Sequence, residues 1–197
     1  TLTSESDMLF RNLDGRGTIK AEVFPQSGTL RTTVRNKSIS RSSGMIIESF
    51  DVRCHIGDVE VYELDTVFGF FPKEAFEDQA GLPTSDEQRE LFDAPANVDL
   101  DLTARPPRFC RGTLRLAEPM LLMIDRVSHL DREGGRLGLG ALRAEKDVDA
   151  GEWFFKSHFY QDPVQPGSLG IEAMLQALQV FMIEADLGRG LGRPRFE

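Results

Sequence analysis

Cysteine is scarce. Cys54 and Cys110 are the only two in 197 residues, with no CxxC and no Cys/His pair at metal-ligand spacing. That excludes a disulfide scaffold and leaves zinc without a ligand set, so both thiols read as reduced, structural cysteines of a cytoplasmic chain. Cations are outnumbered too, 23 against 32 acids, for a net charge of −9. A general nucleic-acid binder is thereby excluded, because it needs a basic field to neutralise phosphates. No apolar run nears the roughly 20 residues that cross a bilayer. The opening TLTSESDMLF has no basic segment followed by an apolar one, so a secretory leader is not expected. The first residue is Thr1 rather than Met, which fits a piece of a longer polypeptide. What remains is an ordinary globular composition: 40% hydrophobic residues and 28% charged ones exclude disorder, and the length suits one domain or two small ones.

Positive signals begin at Thr29. Thr29–Arg35 alternates and is rich in β-branched residues, Met45–Cys54 reads as a second strand, and Val59–Phe68 follows a turn at Ile56-Gly57-Asp58. Imperfect alternation of Val59, Val61, Leu64, Val67 and Phe68 predicts a bulge. Residues 72–108 are acidic and punctuated by five prolines, with a short helix opening at Thr84-Ser85. Beyond them, Met120–Val127 predicts a buried strand, and the turn Arg132–Gly135 leads to a partner strand over Arg136–Leu142. From Ser168 to about Leu187 the apolar spacing turns helical, with Ser168 as the N-cap and Gly188 as the stop. So apolar a helix is expected to be mostly buried. The resulting division is a β-rich unit over 1–76, a linker over 77–110 and a second unit over 111–197.

The chemistry concentrates in His158-Phe-Tyr-Gln-Asp-Pro-Val-Gln-Pro-Gly-Ser-Leu-Gly-Ile-Glu172-Ala-Met-Leu-Gln176. A histidine precedes a stiff proline-containing loop, a glycine opens a helix, and a carboxylate lies one turn inside it. The free N–H groups at a helix start can polarise a carbonyl oxygen. A carboxyl in apolar surroundings holds its proton more firmly, as a general acid must. By residue type alone, Glu172 reads rather as a solvent-facing helix residue and His158 as a packed strand-end histidine. His55 and His129 have no partner motif and read as surface residues at strand ends.

The order of residues adds a resemblance. His158, Phe159, Asp162, Pro163, Val164, Pro166, Gly167, Leu169, Gly170, Glu172, Ala173, Met174 and Gln176 fall on the pattern of the hot-dog-fold 3-hydroxyacyl-(acyl carrier protein) dehydratases. WFFKSHFYQDPVQPGSLGIEAMLQ is most similar to the dehydratase regions of polyunsaturated fatty acid synthases, and ESFDVRCHIGDVEVYELDTVFGFFPKEAF resembles those regions as well. The resemblance implies an α+β hot-dog fold, an antiparallel sheet wrapped around a long central helix. The chain would then hold parts of two tandem hot-dog units, or its N-terminal strands would complete the sheet around the C-terminal helix. It also implies dehydration of 3-hydroxyacyl thioesters to trans-2-enoyl thioesters in fatty acid synthesis. His158 would be the base, Glu172 the acid, Gly167 the carbonyl-binding N–H donor, and Gln176 the residue that orients the acid. No cofactor or metal is implied. The expected partners are an acyl carrier protein, other synthase domains, and a second hot-dog unit as homodimer or tandem pair. Tyr160-Gln161 and Gln165 depart from the family pattern, and the acid is Glu where the dehydratase/isomerase branch has Asp. The competing readings are an acyl thioesterase and a non-catalytic structural or acyl-binding unit.

Overall fold

The structure, a computed structural model, describes residues 7–78, 80–159 and 162–196. Tyr160 and Gln161 lie outside the described residues. Contacts divide the chain into two compact units, Thr1–Ala80 and Gly81–Glu197.

The first unit is a four-stranded antiparallel sheet. β1 (Leu9–Ile19), β2 (Leu30–Ser42), β3 (Met45–Ile56) and β4 (Val59–Phe71) are arranged β1-β4-β3-β2. Ser43 and Gly44, at φ 50 and 78, make the two-residue β2–β3 turn, whose left-handed backbone matches strand twist. Cys54 pairs with Tyr62 and His55 with Glu60, which leaves Val61 as an extra residue in β4, so a bulge lies within the third strand expected from the sequence. One face carries Phe10, Phe50 and Phe68, with Phe10 stacked on Phe68 at 4.9 Å. The other carries ion pairs: Arg53 bridges Asp51 and Glu63, and Lys37 meets Asp65 at 2.7 Å. β1 is not expected from the sequence; Gly17 suits it, because the Tyr62 ring occupies the space a Cβ there would need.

The second unit begins earlier than expected. Residues 77–110, expected as a linker, hold α1 (Asp86–Asp93), β5 (Leu100–Asp101) and α2 (Pro107–Cys110). Leu102, Phe109 and Cys110 sit in the core with Leu116, Leu122, Ile124, Val127 and Val180. Burial pushes the Cys110 thiol up from its ordinary range, so it is a packing residue and a poor nucleophile. α1 starts with a capping box: Gln88 N–H donates to Ser85 Oγ and Ser85 N–H to Gln88 Oε1. β6 (Arg126–Asp131) and β7 (Ala141–Glu145) form the expected hairpin, but the second strand starts later than Arg136. Met120–Asp125 is a turn and an irregular segment rather than a strand, although Leu122, Met123 and Ile124 are buried. The sheet order is β5-β6-β7, separate from the first sheet, so the N-terminal strands do not complete it.

α3 (Gly167–Glu184) is the long helix. Pro166, not Ser168, occupies the N-cap position, and it provides no side-chain cap. At the other end Asp186, at φ 55, takes the left-handed position expected of Gly188. Leu187 N–H donates to Met182 O at 3.0 Å and Asp186 N–H to Ile183 O at 3.2 Å, the paired bonds of a Schellman end. Arg132 donates to the Glu184 carbonyl at 2.7 Å, placing a cation where the helix dipole is negative. Leu169, Gln176 and Val180 face the core, while Ile171, Met174, Leu175 and Leu178 on the opposite side are 49–66% exposed. The helix is therefore less buried than its composition suggests, because a three-stranded sheet covers only one side of it.

Candidate active site

The segment before α3 places His158. Phe154 is buried and anchors the turn Trp153–Lys156, and Trp153 Nε1 donates to Met120 O at 2.8 Å. His158 N–H then donates to Phe154 O at 2.9 Å, and Val164 N–H donates to His158 O at 2.7 Å. The ring is fixed by a third bond, His158 Nδ1 to Val164 O at 2.8 Å. A carbonyl oxygen only accepts, so Nδ1 carries the hydrogen, which leaves Nε2 as the ring nitrogen that can take up a proton. The Phe159 ring lies 3.7 Å from the imidazole. Asp162 holds the loop by backbone, accepting from Phe159 N–H at 2.9 Å.

Glu172 and Gln176 are one turn apart on α3. Gln176 is fully buried, and its amide is used at both ends. Its Oε1 accepts from Met123 N–H at 2.8 Å. Its Nε2 donates to Leu121 O and to Glu172 Oε1, both at 2.7 Å. The acid is thus tied through one side chain to the backbone at 121–123. An i,i+4 spacing allows the Gln–Glu contact; the anchoring partners come from more than 50 residues away and leave no signal in sequence.

Glu172 lines a cavity of about 990 Å³ together with Leu116, Glu118, Leu121, Gln179, Arg115, Arg193 and Arg195 among others. His158 and Gly167 do not line it. The structure therefore joins Glu172 to Gln176 and sets the acid on the cavity wall, whereas His158 is bonded within its own loop. Gly167 is the exposed first residue of α3, with open space around its Cα. Gln179 escapes a reading of the motif alone, although Glu172, Gln176 and Gln179 at i, i+4 and i+7 share one helix face. Among the described residues no three His, Cys, Asp or Glu side chains gather as metal ligands, and no helix is long and apolar enough to cross a membrane.

Residues 116–197 match the FabA-like domain. One large polypeptide of the polyunsaturated fatty acid synthase of Thraustochytrium sp. is 32% identical over 209 aligned residues, which take in 98% of this chain and 14% of the relative. The chain thus spans a small part of the curated protein it matches. Antiparallel sheets followed by a long C-terminal helix agree with an α+β hot-dog architecture. Residues 116–197 are thus similar to the FabA-like domain, and the chain as a whole is similar to one segment of that synthase polypeptide.

Proposed function

We propose that this chain serves the dehydration of 3-hydroxyacyl thioesters carried on an acyl carrier protein, within a larger fatty acid synthase. The observation that carries the reading is the Glu172 carboxyl held at a cavity wall by a fully buried Gln176. His158 Nε2 removes the α-proton, which the thioester carbonyl has made acidic. The electron pair of that C–H bond forms the new double bond, the β C–O bond breaks, and Glu172 protonates the departing hydroxyl. The products are water and a trans-2-enoyl thioester, leaving an imidazolium and a carboxylate that exchange one proton to reset. The Gly167 N–H, at a helix start without a side-chain cap, suits the carbonyl oxygen as negative charge develops on it.

Because His158 does not line the cavity of Glu172, we assign the working pair to two hot-dog units, each giving one of the two residues. The four long strands of the first unit fit the closing half of a preceding hot-dog unit. His158→Ala and Glu172→Gln should each lower dehydration by about 10²–10⁴ with the fold retained. Subunit exchange between the two inactive variants should restore activity in mixed dimers. Enoyl absorbance without thiol release is the expected signal, and thiol release would identify a thioesterase instead. Wild-type turnover by either variant would remove the assignment. Inactive mixed dimers, from a parent homodimer shown to be active, would remove the shared site.

The acyl carrier protein is the proposed partner, with Lys156, Arg189, Arg193 and Arg195 flanking the site as its docking cations in a chain of net charge −9. Charge reversal at Arg189 should slow carrier association and flatten its salt dependence. An unchanged rate would place the docking surface elsewhere.

A further inference from the structure

We propose that Arg115 and Arg193 form a phosphate subsite on the wall that also holds Glu172, taking the phosphodiester of the arm that presents the thioester. The proposal deepens the dehydration reading and rests on it for the identity of the arm. The anion subsite itself rests on the cavity.

The charge distribution is the first argument. Residues 105–115 hold four arginines and no acid, and residues 187–196 hold three arginines and no acid, in a chain whose acids otherwise dominate. The two segments meet at one cavity, where Arg115 faces the same space as Arg193 and Arg195. Its two carboxylates already have partners: Glu118 pairs with Arg105 at 3.4 Å, and Glu172 accepts from Gln176 at 2.7 Å. Among the described residues neither Arg115 nor Arg193 has a carboxylate partner. The cavity wall therefore carries two guanidinium groups without a carboxylate partner among the described residues, those of Arg115 and Arg193, beside Glu172.

Packing is the second argument. Gly188 has no side chain, and a Cβ there would strike Leu114 and crowd Pro194. The bare glycine lets the 193–195 segment close against 114, with Pro194 stiffening the backbone between the two arginines. The backbone that carries Arg193 is thus packed against Leu114, and the arginine side chains stand exposed from it. A guanidinium fork matches phosphate oxygens in geometry and charge. At about 990 Å³ the cavity has room for more than a lone anion.

Phosphopantetheine and pantetheine differ only in the phosphate and are the probes. Calorimetric titration of the whole chain should show the phosphorylated form binding about tenfold tighter. Arg115→Gln/Arg193→Gln should close that gap, with circular dichroism unchanged. If the double variant unfolds, Arg193→Gln alone should narrow the gap. Equal binding of the two probes by the intact chain overturns the subsite, as does a gap left undiminished by Arg193→Gln. Coenzyme A separates the phosphate sources: tighter binding than phosphopantetheine, lost with its nucleotide phosphates, would overturn the assignment to the carrier arm. Arginine-dependent phosphopantetheine binding by a chain that dehydrates no 3-hydroxyacyl thioester would keep the subsite and reject the reading of the reaction.

Discussion

Gln176→Leu isolates the strap that holds the acid. The substitution keeps roughly the volume and removes one acceptor and two donors. Its first effect is on Met123 N–H, whose residue is 1% exposed and has no water to turn to. A buried donor left without a partner costs about 1–3 kcal/mol. The Leu121 carbonyl adds less, because that residue is 42% exposed and can reach solvent. Urea denaturation should therefore show a loss of about 1–3 kcal/mol with the slope unchanged. The second effect is on Glu172, which loses the amide that donates to it and the tie to 121–123. An acid misplaced by about 1 Å costs about 10²-fold in rate, so kcat should fall by more than the stability loss explains. Gln176→Glu separates the two effects. It can still accept from Met123 N–H, but it sets a second carboxyl against Glu172, which makes the acid hold its proton to higher pH. The acid-dependent limb of the kcat profile should move upward in that variant while most of the stability returns. A Gln176→Leu chain within about 0.5 kcal/mol of wild type, with unaltered kcat, would refute both halves of the argument.

Acid should weaken the second unit. Hydrogen bonds from Ser128 to Glu145, from Arg126 to Asp147 and from Thr103 to Asp101 hold these carboxyls below their ordinary range. Their folded values lie below the unfolded ones, so the stabilisation is present above the ordinary carboxylate range and is lost progressively as pH falls from that range through the lowered folded values. Urea midpoints at pH 7 and pH 3.5 should differ accordingly, and the difference should shrink in Arg126→Ala; an equal difference in that variant would contradict the assignment. Val180→Ala, at a fully buried position, should cost about 2 kcal/mol in thermal or urea melts. Leu178→Ala, 54% exposed, should cost under about 0.5 kcal/mol in this chain, and matching losses at the two sites would contradict the packing described.

Legibility follows the range of the interactions. β2, β3 and β4 are readable because β-branched alternation and Gly-containing turns are local signals. β1 is not, because Asn12, Asp14, Gly15 and Gly17 dilute its pattern and its partner β4 lies far along the chain, Leu9 pairing with Phe71. Residues 77–110 look like a linker for a similar reason. Leu102, Phe109 and Cys110 are single apolar residues among prolines and acids, and only the folded core shows that they are its contents. α3 is readable from its spacing, but its ends are not: proline and aspartate occupy the cap positions that Ser168 and Gly188 would fill by preference. At the site, the Glu172–Gln176 contact follows from helical spacing, whereas the backbone anchors at Leu121 and Met123 and the arginine wall depend on tertiary approach. His158 and Glu172, 14 residues apart, look like a pair in sequence. In space His158 is bonded to Val164, and Glu172 faces a cavity that the histidine does not line.

The two-sided helix changes how mutational data on this chain will read. α3 keeps Val180 and Gln176 in its own core, while Ile171, Met174, Leu175 and Leu178 point the other way. Substitutions on the first side report on the fold of the second unit wherever they are measured. Those on the second side should be nearly silent in this chain, and a cost measured there in the synthase proposed above would report a surface laid over the helix. A stability scan performed in both contexts would then map such a neighbour, residue by residue, from the difference between two otherwise identical sets of melts.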